Sequence, residues 1–296
     1  MRFLVSTLTI GCLFISSVIS EPQSVGAVKL DDVVRVLVDG ELFTDYRYKT
    51  HEKYPYFYPV NGPATGISVT TQTSEPYPHH HSLFFGCDRV NGGNYWQDTL
   101  ERGRIVSDRI ELIEAGGERV VIEQRCEWVR PGVPMPFVDE RRVTITAPSE
   151  TLRLIDFDIT LVAQMDVQIE KTNHSLFSAR IAPELCVNSG GTLVNAQGLK
   201  GEKATLSAES EWMAYFGRRL GETEGLAIFD HPINPWHPAK WFTRDYGFFS
   251  PTNLNFLEKP WTFKKGETLS LKYRVAVFAG EINTQTLNQL YSDWAK

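Results

Sequence analysis

The amino-acid sequence predicts a mainly β protein: a single large antiparallel β-sandwich with one C-terminal helix. Apolar and polar side chains alternate from Thr151 to Ala163 and again from Leu269 to Ala279, the pattern of strands that bury one face. Helical spacing is convincing only near the end, where Asn283 can cap a helix whose apolar side chains are Leu287, Leu290, Tyr291 and Trp294. Many strands at short spacing with one helix favour a sandwich.

The first predicted strands form a hairpin. Val33–Val38 leads through Asp39-Gly40, a strong two-residue turn, into Glu41–Tyr46. The prolines of Tyr54–Pro59 predict an edge strand or an extended loop rather than a central strand. Further strands are predicted over residues 104–114, 119–129 and 140–147. Because no linker or internal repeat interrupts the series, residues 21–296 are predicted to form one domain.

The N-terminal segment is typical of a secretory signal peptide. A single positive charge precedes an apolar run from Phe3 to Ile19, and the small residue Ser20 follows it. A spanning helix needs a longer clean run of roughly 20 apolar residues, and no later segment reaches that length. We therefore predict a signal peptide over residues 1–20, cleavage near Ser20, a secreted or periplasmic protein and no membrane span. Lipidation at Cys12 is a weaker alternative.

Charge and cysteine content exclude two classes of site. The formal net charge of −6 argues against a nucleic-acid partner, since binding a phosphate backbone needs clustered Lys and Arg. Beyond the signal segment the cysteines are Cys87, Cys126 and Cys186, with no C-x-x-C spacing for a structural zinc site. One disulfide plus a free thiol, and three buried unpaired cysteines, are both open.

Three consecutive histidines, His79, His80 and His81, lie between Pro78 and an apolar run. Neutral imidazole readily binds a metal or moves a proton near pH 7. If the segment is extended, His79 and His81 point to one side and His80 to the other. A metal site would then need a further ligand from elsewhere in the chain. The alternative is a polar loop whose histidines are hydrogen-bonded to backbone carbonyls.

A second cluster runs from Phe229 to Phe249. A strand ending at His231 is followed by three prolines in seven positions, which hold the loop rigid. A rigid loop that carries His, Asp, Asn, Trp, Arg and Tyr suits a preorganised site, and its tryptophans could stack on a sugar ring. The alternative is a stiff surface loop with core aromatics. We predict that this loop and the histidine run meet in one pocket.

A third candidate is the segment from Arg180 to Glu184, at the end of a predicted strand. It places a cation beside a carboxylate. Glu184 could act as a general acid or base, or the two side chains could form a surface ion pair.

These segments resemble a family of secreted bacterial proteins that carry the name "methane oxygenase PmoA". The matching blocks cover essentially the whole mature chain; they are Pro55-Tyr56-Phe57-Tyr58-Pro59, Pro78-His79-His80, Leu83-Phe84-Phe85, Val90-Asn91-Gly92, Tyr95-Trp96, Arg180-Ile181-Ala182-Pro183, Phe229-Asp230-His231-Pro232, Asn234-Pro235, His237-Pro238 and Arg244-Asp245-Tyr246-Gly247. The sequence departs from the family pattern at Tyr77, where the family often has His, and at His81, where it often has Arg or Lys.

The resemblance implies a β-sandwich like that of galactose mutarotase and gene neighbourhoods rich in sugar dehydrogenases. Both implications favour carbohydrate as the ligand. The family name fits less well, because the membrane subunit of particulate methane monooxygenase spans the bilayer several times and this chain has no predicted span.

We therefore predict a carbohydrate-active enzyme, a lyase, epimerase or hydrolase that acts on a sugar or oxidised sugar. Protons would be moved, or a divalent metal held, by His79, His80, His231 and His237. Arg244 would hold an oxyanion or carbonyl, and Asp230 or Asp245 would orient a histidine. The predicted substrate-binding residues are Tyr58, Trp96, Asn234, Trp236, Tyr246 and Arg180.

Two alternatives stay open. A non-catalytic sugar-binding module would bind through the aromatic residues Tyr56, Tyr58, Trp96, Trp236 and Trp241. A metal-dependent oxygenase, as the family name suggests, would hold copper or iron at the histidines.

Overall fold

The computed structural model describes residues 21–280 and 282–296, and the predicted signal peptide, residues 1–20, lies outside them. The strands of the described chain are β1 (Val25–Lys29), β2 (Val33–Val38), β3 (Glu41–Arg47), β4 (Tyr56–Val60), β5 (Leu83–Val90), β6 (Gly93–Asn94), β7 (Arg104–Gly117), β8 (Val120–Val129), β9 (Phe137–Ser149), β10 (Leu152–Ala163), β11 (Val167–Ile169), β12 (Ser175–Arg180), β13 (Thr192–Asn195), β14 (Trp212–Arg219), β15 (Glu222–Asp230), β16 (Trp241–Arg244), β17 (Phe248–Pro251), β18 (Trp261–Phe263) and β19 (Thr268–Ala279). The α-helices are α1 (Glu202–Thr205) and α2 (Thr284–Trp294), and 3₁₀ turns cover Leu100–Arg102, Pro183–Leu185, Val187–Ser189 and Asn253–Phe256.

The described strands pair antiparallel and form two sheets in face-to-face layers. The first sheet has the order β13-β14-β15-β19-β10-β9-β8-β7. The second has the order β1-β2-β3-β4-β5-β12-β17-β16. β1 also pairs with β7 and so joins the two sheets, while β6 and β11 pair with β5. The predicted class, a single antiparallel β-sandwich, is confirmed.

The core lies between the two sheets. Ring contacts that join them are Phe85 with Phe157, Phe177 with Tyr273, and Phe249 with Tyr215. Each of these rings is almost completely buried and contributes about 1.5–3 kcal/mol by leaving water. Since successive strand residues point to opposite faces, Phe84 and Phe248, which precede the inward rings of Phe85 and Phe249, lie on the outer face of the second sheet. Arg180, three residues after Phe177, lies on the same outer face.

Helix α2 covers the outer face of the first sheet, as its predicted apolar stripe requires. The Asn283 side chain caps it by accepting a hydrogen bond from the backbone N–H of Thr286 at 2.9 Å. Leu287 is 1% exposed and belongs to a small hydrophobic cluster with Trp212 and Phe229, separate from the main core. The predicted C-terminal helix is confirmed; the one-turn helix α1 was not predicted.

The prediction for Tyr54–Pro59 is wrong. Strand β4 lies between β3 and β5 inside the second sheet rather than at an edge. β5 pairs only with Tyr56 and Phe57, and the pairing with β3 is irregular around Tyr58 and Pro59. Pro59 therefore does not occupy a position in either strand pairing that requires a backbone N–H donor.

Of the two cysteine arrangements left open by the sequence, the structure shows three buried unpaired cysteines. Cys87, Cys126 and Cys186 are all free and buried. Neither helix of the described chain has the length and apolar character needed to cross a membrane.

Candidate functional site

The histidine run forms a turn on the outer face of the second sheet. The backbone N–H of His80 donates to the carbonyl of Tyr77 at 3.1 Å, so the segment is not extended. As a result, the rings of His79 and His80 contact each other at 4.5 Å between centroids. His81 turns away, with its ring 4.9 Å from that of Tyr56. The expectation that His79 and His81 point together is therefore wrong.

Aromatic rings surround the histidine pair. The His80 ring stacks on Phe248 at 4.4 Å. Tyr77, which is 38% exposed, covers the pair from the solvent side; its ring lies 6.0 Å from that of His79, 5.4 Å from that of His80 and 5.0 Å from that of Tyr246. The predicted partner Tyr246 is thus brought beside the histidine run.

Arg180 is 3% exposed and lies beside the same rings. One guanidinium N–H donates to the Tyr246 carbonyl at 2.6 Å, and the guanidinium carbon lies 4.4 Å from the Tyr246 ring centroid. Its buried Nε has no partner, and no ion pair joins it to a carboxylate in the described residues. Glu184, the carboxylate nearby in sequence, accepts from Arg219 instead, at 3.0 Å.

A buried cation without a carboxylate costs free energy unless another group compensates it. Burial lowers the pKa of Arg180, although arginine stays charged near neutral pH. The free Nε–H is therefore available to an anion, or to an oxygen that becomes negative. We call the set Tyr77, His79, His80, His174, Arg180 and Tyr246 the outer-face cluster.

Both histidines of the pair are neutral near pH 7. Burial is the largest cause and lowers the pKa of His79 to about 4 and that of His80 to about 2. Electrostatic interaction adds to the fall in pKa, with His174 for His79 and with His79 and Arg180 for His80. The buried His79 Nε2 and His80 Nδ1 have no hydrogen-bond partner. Each ring therefore offers a free nitrogen to a ligand.

His174 and Asp88 belong to the site but were not predicted. The His174 ring lies 5.8 Å from that of His79, and its Nδ1 lies 3.3 Å from Oδ2 of Asp88, which is 4% exposed. A carboxylate in this position orients an imidazole and fixes its tautomer. The available signal was Asp88 itself, an acidic residue that directly follows the apolar run Leu83–Cys87 in strand β5.

Trp96 forms the floor of this region, consistent with its predicted placement near the histidines. It is fully buried, and its ring lies 5.9 Å from that of His174 and 6.1 Å from that of Phe248. Its indole N–H has no hydrogen-bond partner.

Arg244 and Asp245 border the outer-face cluster but already have partners. Arg244 donates to a Glu202 carboxylate oxygen at 3.0 Å, and its guanidinium lies 4.1 Å from the Phe242 ring centroid. Asp245 accepts from the backbone N–H of Glu202 at 2.8 Å, at the start of helix α1. These contacts hold α1 in place. The oxyanion-binding role predicted for Arg244 therefore suits Arg180 better, because the charge of Arg180 is uncompensated.

The second pair of histidines lies elsewhere. His237 Nδ1 is 3.0 Å from Oδ2 of the fully buried Asp230, and its Nε2 is 3.1 Å from the Tyr291 hydroxyl of helix α2. His231 packs edge-on against Trp294 of the same helix at 4.8 Å. Asp230 thus orients a histidine, as predicted. It does so at the junction between β15 and the C-terminal helix.

The remaining predicted ligands of that loop also make contacts among themselves. Asn234 donates to Asp230 at 2.6 Å, and Trp236 packs on Trp261 at 5.1 Å. Tyr58, predicted to bind substrate, lies under the Arg47 guanidinium, whose carbon is 5.8 Å from the ring centroid. In the described chain, no hydrogen bond, ion pair or ring contact joins any of these three to the outer-face cluster.

The prediction of one pocket is therefore wrong. His79 and His80 lie on the outer face of the second sheet, while His231 and His237 contact the helix that covers the outer face of the first. Only the later part of the second cluster, around Tyr246 and Phe248, reaches the histidine run.

A model of one protein family matches residues 33–292. The chain belongs to DUF6807, a family of unknown function. No curated protein matches it.

Several solved structures resemble this DUF6807 member weakly. A galactose 1-epimerase from Lactobacillus acidophilus NCFM has 8% identity and a TM-score of 0.42 over 88% of this chain and 100% of that one. A GalM/aldose epimerase homologue from C. elegans has 8% identity and a TM-score of 0.37 over 89% and 100%. A polysaccharide lyase has 12% identity and a TM-score of 0.31 over 92% and 34%. With TM-scores this low, the likeness carries no argument about activity.

The donors predicted for a metal do not fit a metal centre in this DUF6807 member. Within residues 21–280 and 282–296, no three His, Cys, Asp or Glu side chains are grouped so that they could hold an ion. His79 and His80 are separated from His231 and His237 by the sandwich itself. No step is derived through a metal.

The depressed pKa of His80 predicts a steep loss of stability in acid. The unfolded histidine takes up a proton below about pH 6.5, while the folded one stays neutral down to about pH 2. Its contribution to stability is therefore complete above the unfolded pKa and is lost as the pH falls. From about pH 6 to pH 4, we expect His80→Gln to reduce the slope of the unfolding free energy against pH by about 1.4 kcal/mol per pH unit.

Urea unfolding at a series of pH values measures this slope. The matched control is His51→Gln, at an exposed histidine outside the cluster. Parallel curves for the wild type and His80→Gln would contradict a neutral, buried His80.

Proposed function

We propose that this protein is a carbohydrate-active enzyme that transfers a proton at a carbon next to the carbonyl of an oxidised sugar. The observation that carries the proposal is Arg180, a buried arginine without a carboxylate partner, whose Nε has no hydrogen-bond partner and whose charge acts on the neutral His80. Such a cation suits an oxygen that gains negative charge during the reaction, because the interaction then strengthens in the transition state.

In this proposal Arg180 and His80 hold the carbonyl oxygen. The guanidinium supplies the positive charge. The low pKa of His80 keeps its ring neutral, so the ring can donate a hydrogen bond without itself becoming charged. Both groups are almost fully buried, where their interactions with a developing oxyanion are stronger than in water.

His79 moves the proton. Its neutral ring takes a proton from the carbon next to the carbonyl, and the C–H electron pair becomes a C=C bond while the carbonyl oxygen becomes an enolate oxygen. Return of a proton to the other face of that carbon gives an epimer. Loss of a substituent from the neighbouring carbon gives an elimination product. Hydrolysis by two free carboxylates is less well supported, because Asp88 already pairs with His174.

We also propose that the protein acts outside the cytoplasm, on the basis of the predicted signal peptide. We propose as well that the protein is related to the PmoA-named family. This relationship supports a carbohydrate ligand rather than oxygenase chemistry. Mass spectrometry of the secreted protein tests the location, since cleavage near Ser20 would leave a chain that begins at Glu21.

Deuterium exchange tests the proposed reaction. The purified protein is incubated in D₂O with a panel of 3-keto-glycosides and the matching unoxidised glycosides, and carbon-bound deuterium is followed by NMR. We expect incorporation next to the carbonyl of a keto sugar and none in the matching glycoside, whose C–H bonds are not acidic. Binding of sugars without any exchange or product would favour the sugar-binding module. Neither binding nor exchange across the panel would refute the proposal.

A further inference from the structure

A polar cleft of about 370 Å³ opens beside the outer-face cluster, at the end of β5 and the turn that follows it. Its lining includes the polar side chains of Asp88, Asn94, Gln97, Asp98, Arg102 and Glu170. The side of this cleft that lies away from the histidines has no role in the proposed proton transfer and holds none of the predicted site residues.

The cleft adjoins the cluster at Asp88, and the charge of a second lining residue reaches it. Asp88 lines it and also contacts His174 through Oδ2. Asp98 lines it too, and its negative charge acts on His79, where it opposes the fall in pKa caused by burial. A molecule in the cleft would therefore lie next to a molecule bound at the histidine pair.

Asp88 gives a specific reason to expect a ligand there. The residue is 4% exposed, and its buried Oδ1 has no hydrogen-bond partner. A buried carboxylate oxygen without a donor is costly, so it calls for an O–H or N–H from outside the chain. Gln97 adds a free group, since no hydrogen bond to its side-chain amide is found in the described chain.

The chemistry of the lining fits a neutral hydroxylated ring better than a cation. Arg89 and Arg102 line the cleft beside the acidic residues and would repel a metal ion. A sugar hydroxyl both donates and accepts, so carboxylates, amides and arginines can all bind it. This mixture of polar groups discriminates among the hydroxyls of a sugar but offers little to an apolar ligand.

We propose that this cleft is a second sugar subsite, which binds a neutral sugar unit linked to the oxidised unit at His79, His80 and Arg180. This inference rests on the proposed function. It names the substrate class as an oxidised disaccharide or longer glycan rather than a free monosaccharide. The hydroxyls of the neutral unit donate to Asp88 Oδ1 and bind Gln97, Arg102 and Glu170.

The test compares exchange of a keto-disaccharide with that of the corresponding keto-monosaccharide glycoside. We expect the wild type to prefer the disaccharide in kcat/KM. Gln97→Ala combined with Glu170→Gln should raise KM for the disaccharide about tenfold, the loss expected for removing the hydrogen bond of Gln97 and weakening the charge-assisted one of Glu170. The same variant should leave exchange of the monosaccharide unchanged. Gln164→Ala, at a half-buried glutamine outside the cleft, is the matched control.

The possible results separate this inference from the proposed function. Equal kcat/KM for both substrates, or a double variant identical to the wild type on the disaccharide, overturns the subsite and leaves the proton transfer standing. If neither substrate exchanges, saturation-transfer NMR with the unoxidised disaccharide decides the subsite separately. Protein-to-sugar transfer that the double variant loses supports the subsite, and transfer that is absent or unchanged overturns it.

Discussion

Replacing Arg180 with methionine is expected to lower kcat for proton exchange by about 10²–10³-fold, the usual cost of losing one preorganised oxyanion donor. The free energy of unfolding should fall by less than about 1 kcal/mol, or rise, because the substitution removes a buried charge that has no carboxylate to compensate it. The Tyr246 carbonyl keeps a weak donor in the Cys186 thiol at 3.1 Å. Loss of activity with retained stability is the signature of a residue kept for function.

Arg141 provides the matched control, since it is as deeply buried as Arg180 but has a carboxylate partner. Its guanidinium Nε lies 2.7 Å from Asp139, and both side chains are buried in the main core. Arg141→Met leaves that carboxylate unpaired and should cost about 3–5 kcal/mol. Urea unfolding and the exchange assay measure both variants. If Arg180→Met is destabilised as strongly as Arg141→Met and retains normal exchange, Arg180 is a structural residue.

The sheets were predictable where a strand buries one face against the core. In β10, Ile155, Phe157 and Ile159 are buried and the residues between them are partly exposed, so alternation alone located the strand and its inner face. The position of β4 was not predictable in this way. Its place between β3 and β5 depends on pairing with residues distant in sequence, and the local prolines suggested an edge.

The candidate site was predictable only in part, because the chain crosses between the two sheets inside the second cluster. His231 and His237 follow β15 of the first sheet, whereas Tyr246 and Phe248 lie at β16 and β17 of the second. The short distance in sequence therefore concealed a change of layer. Asp88 lies in β5 and His174 directly precedes β12, so the two are distant in sequence and no local pattern marks them as a pair.

The outer-face cluster combines features that oppose stability. A buried arginine without a carboxylate and imidazoles with unpartnered nitrogens each cost free energy in the folded protein. Two buried carboxylates elsewhere in the fold are well satisfied: Glu224 accepts from Thr65 and Arg219, and Asp139 accepts from Arg141 and Trp128. Single unsatisfied groups occur at other places in the described chain, such as the Nε of the buried Arg153. At this face several of them lie together, on His79, His80, Trp96 and Arg180, which is where a ligand would compensate them.

His79→Gln is expected to lower kcat for exchange by about 10²–10⁴-fold, the range for losing a positioned general base. Glutamine keeps a similar length and hydrogen-bonding capacity but cannot accept a proton from carbon, so KM should change little. His231→Gln, at the histidine that packs on Trp294, is the control and should exchange at the wild-type rate. Single-turnover measurements in D₂O separate proton abstraction from product release.

The two variants also distinguish the one-site and two-site arrangements. If His79→Gln and His231→Gln lose exchange equally, both histidine segments serve one reaction and the two faces are not functionally separate. If only His79→Gln loses exchange, the chemistry belongs to the outer face of the second sheet, and the Asp230–His237–Tyr291 contacts serve to attach the C-terminal helix.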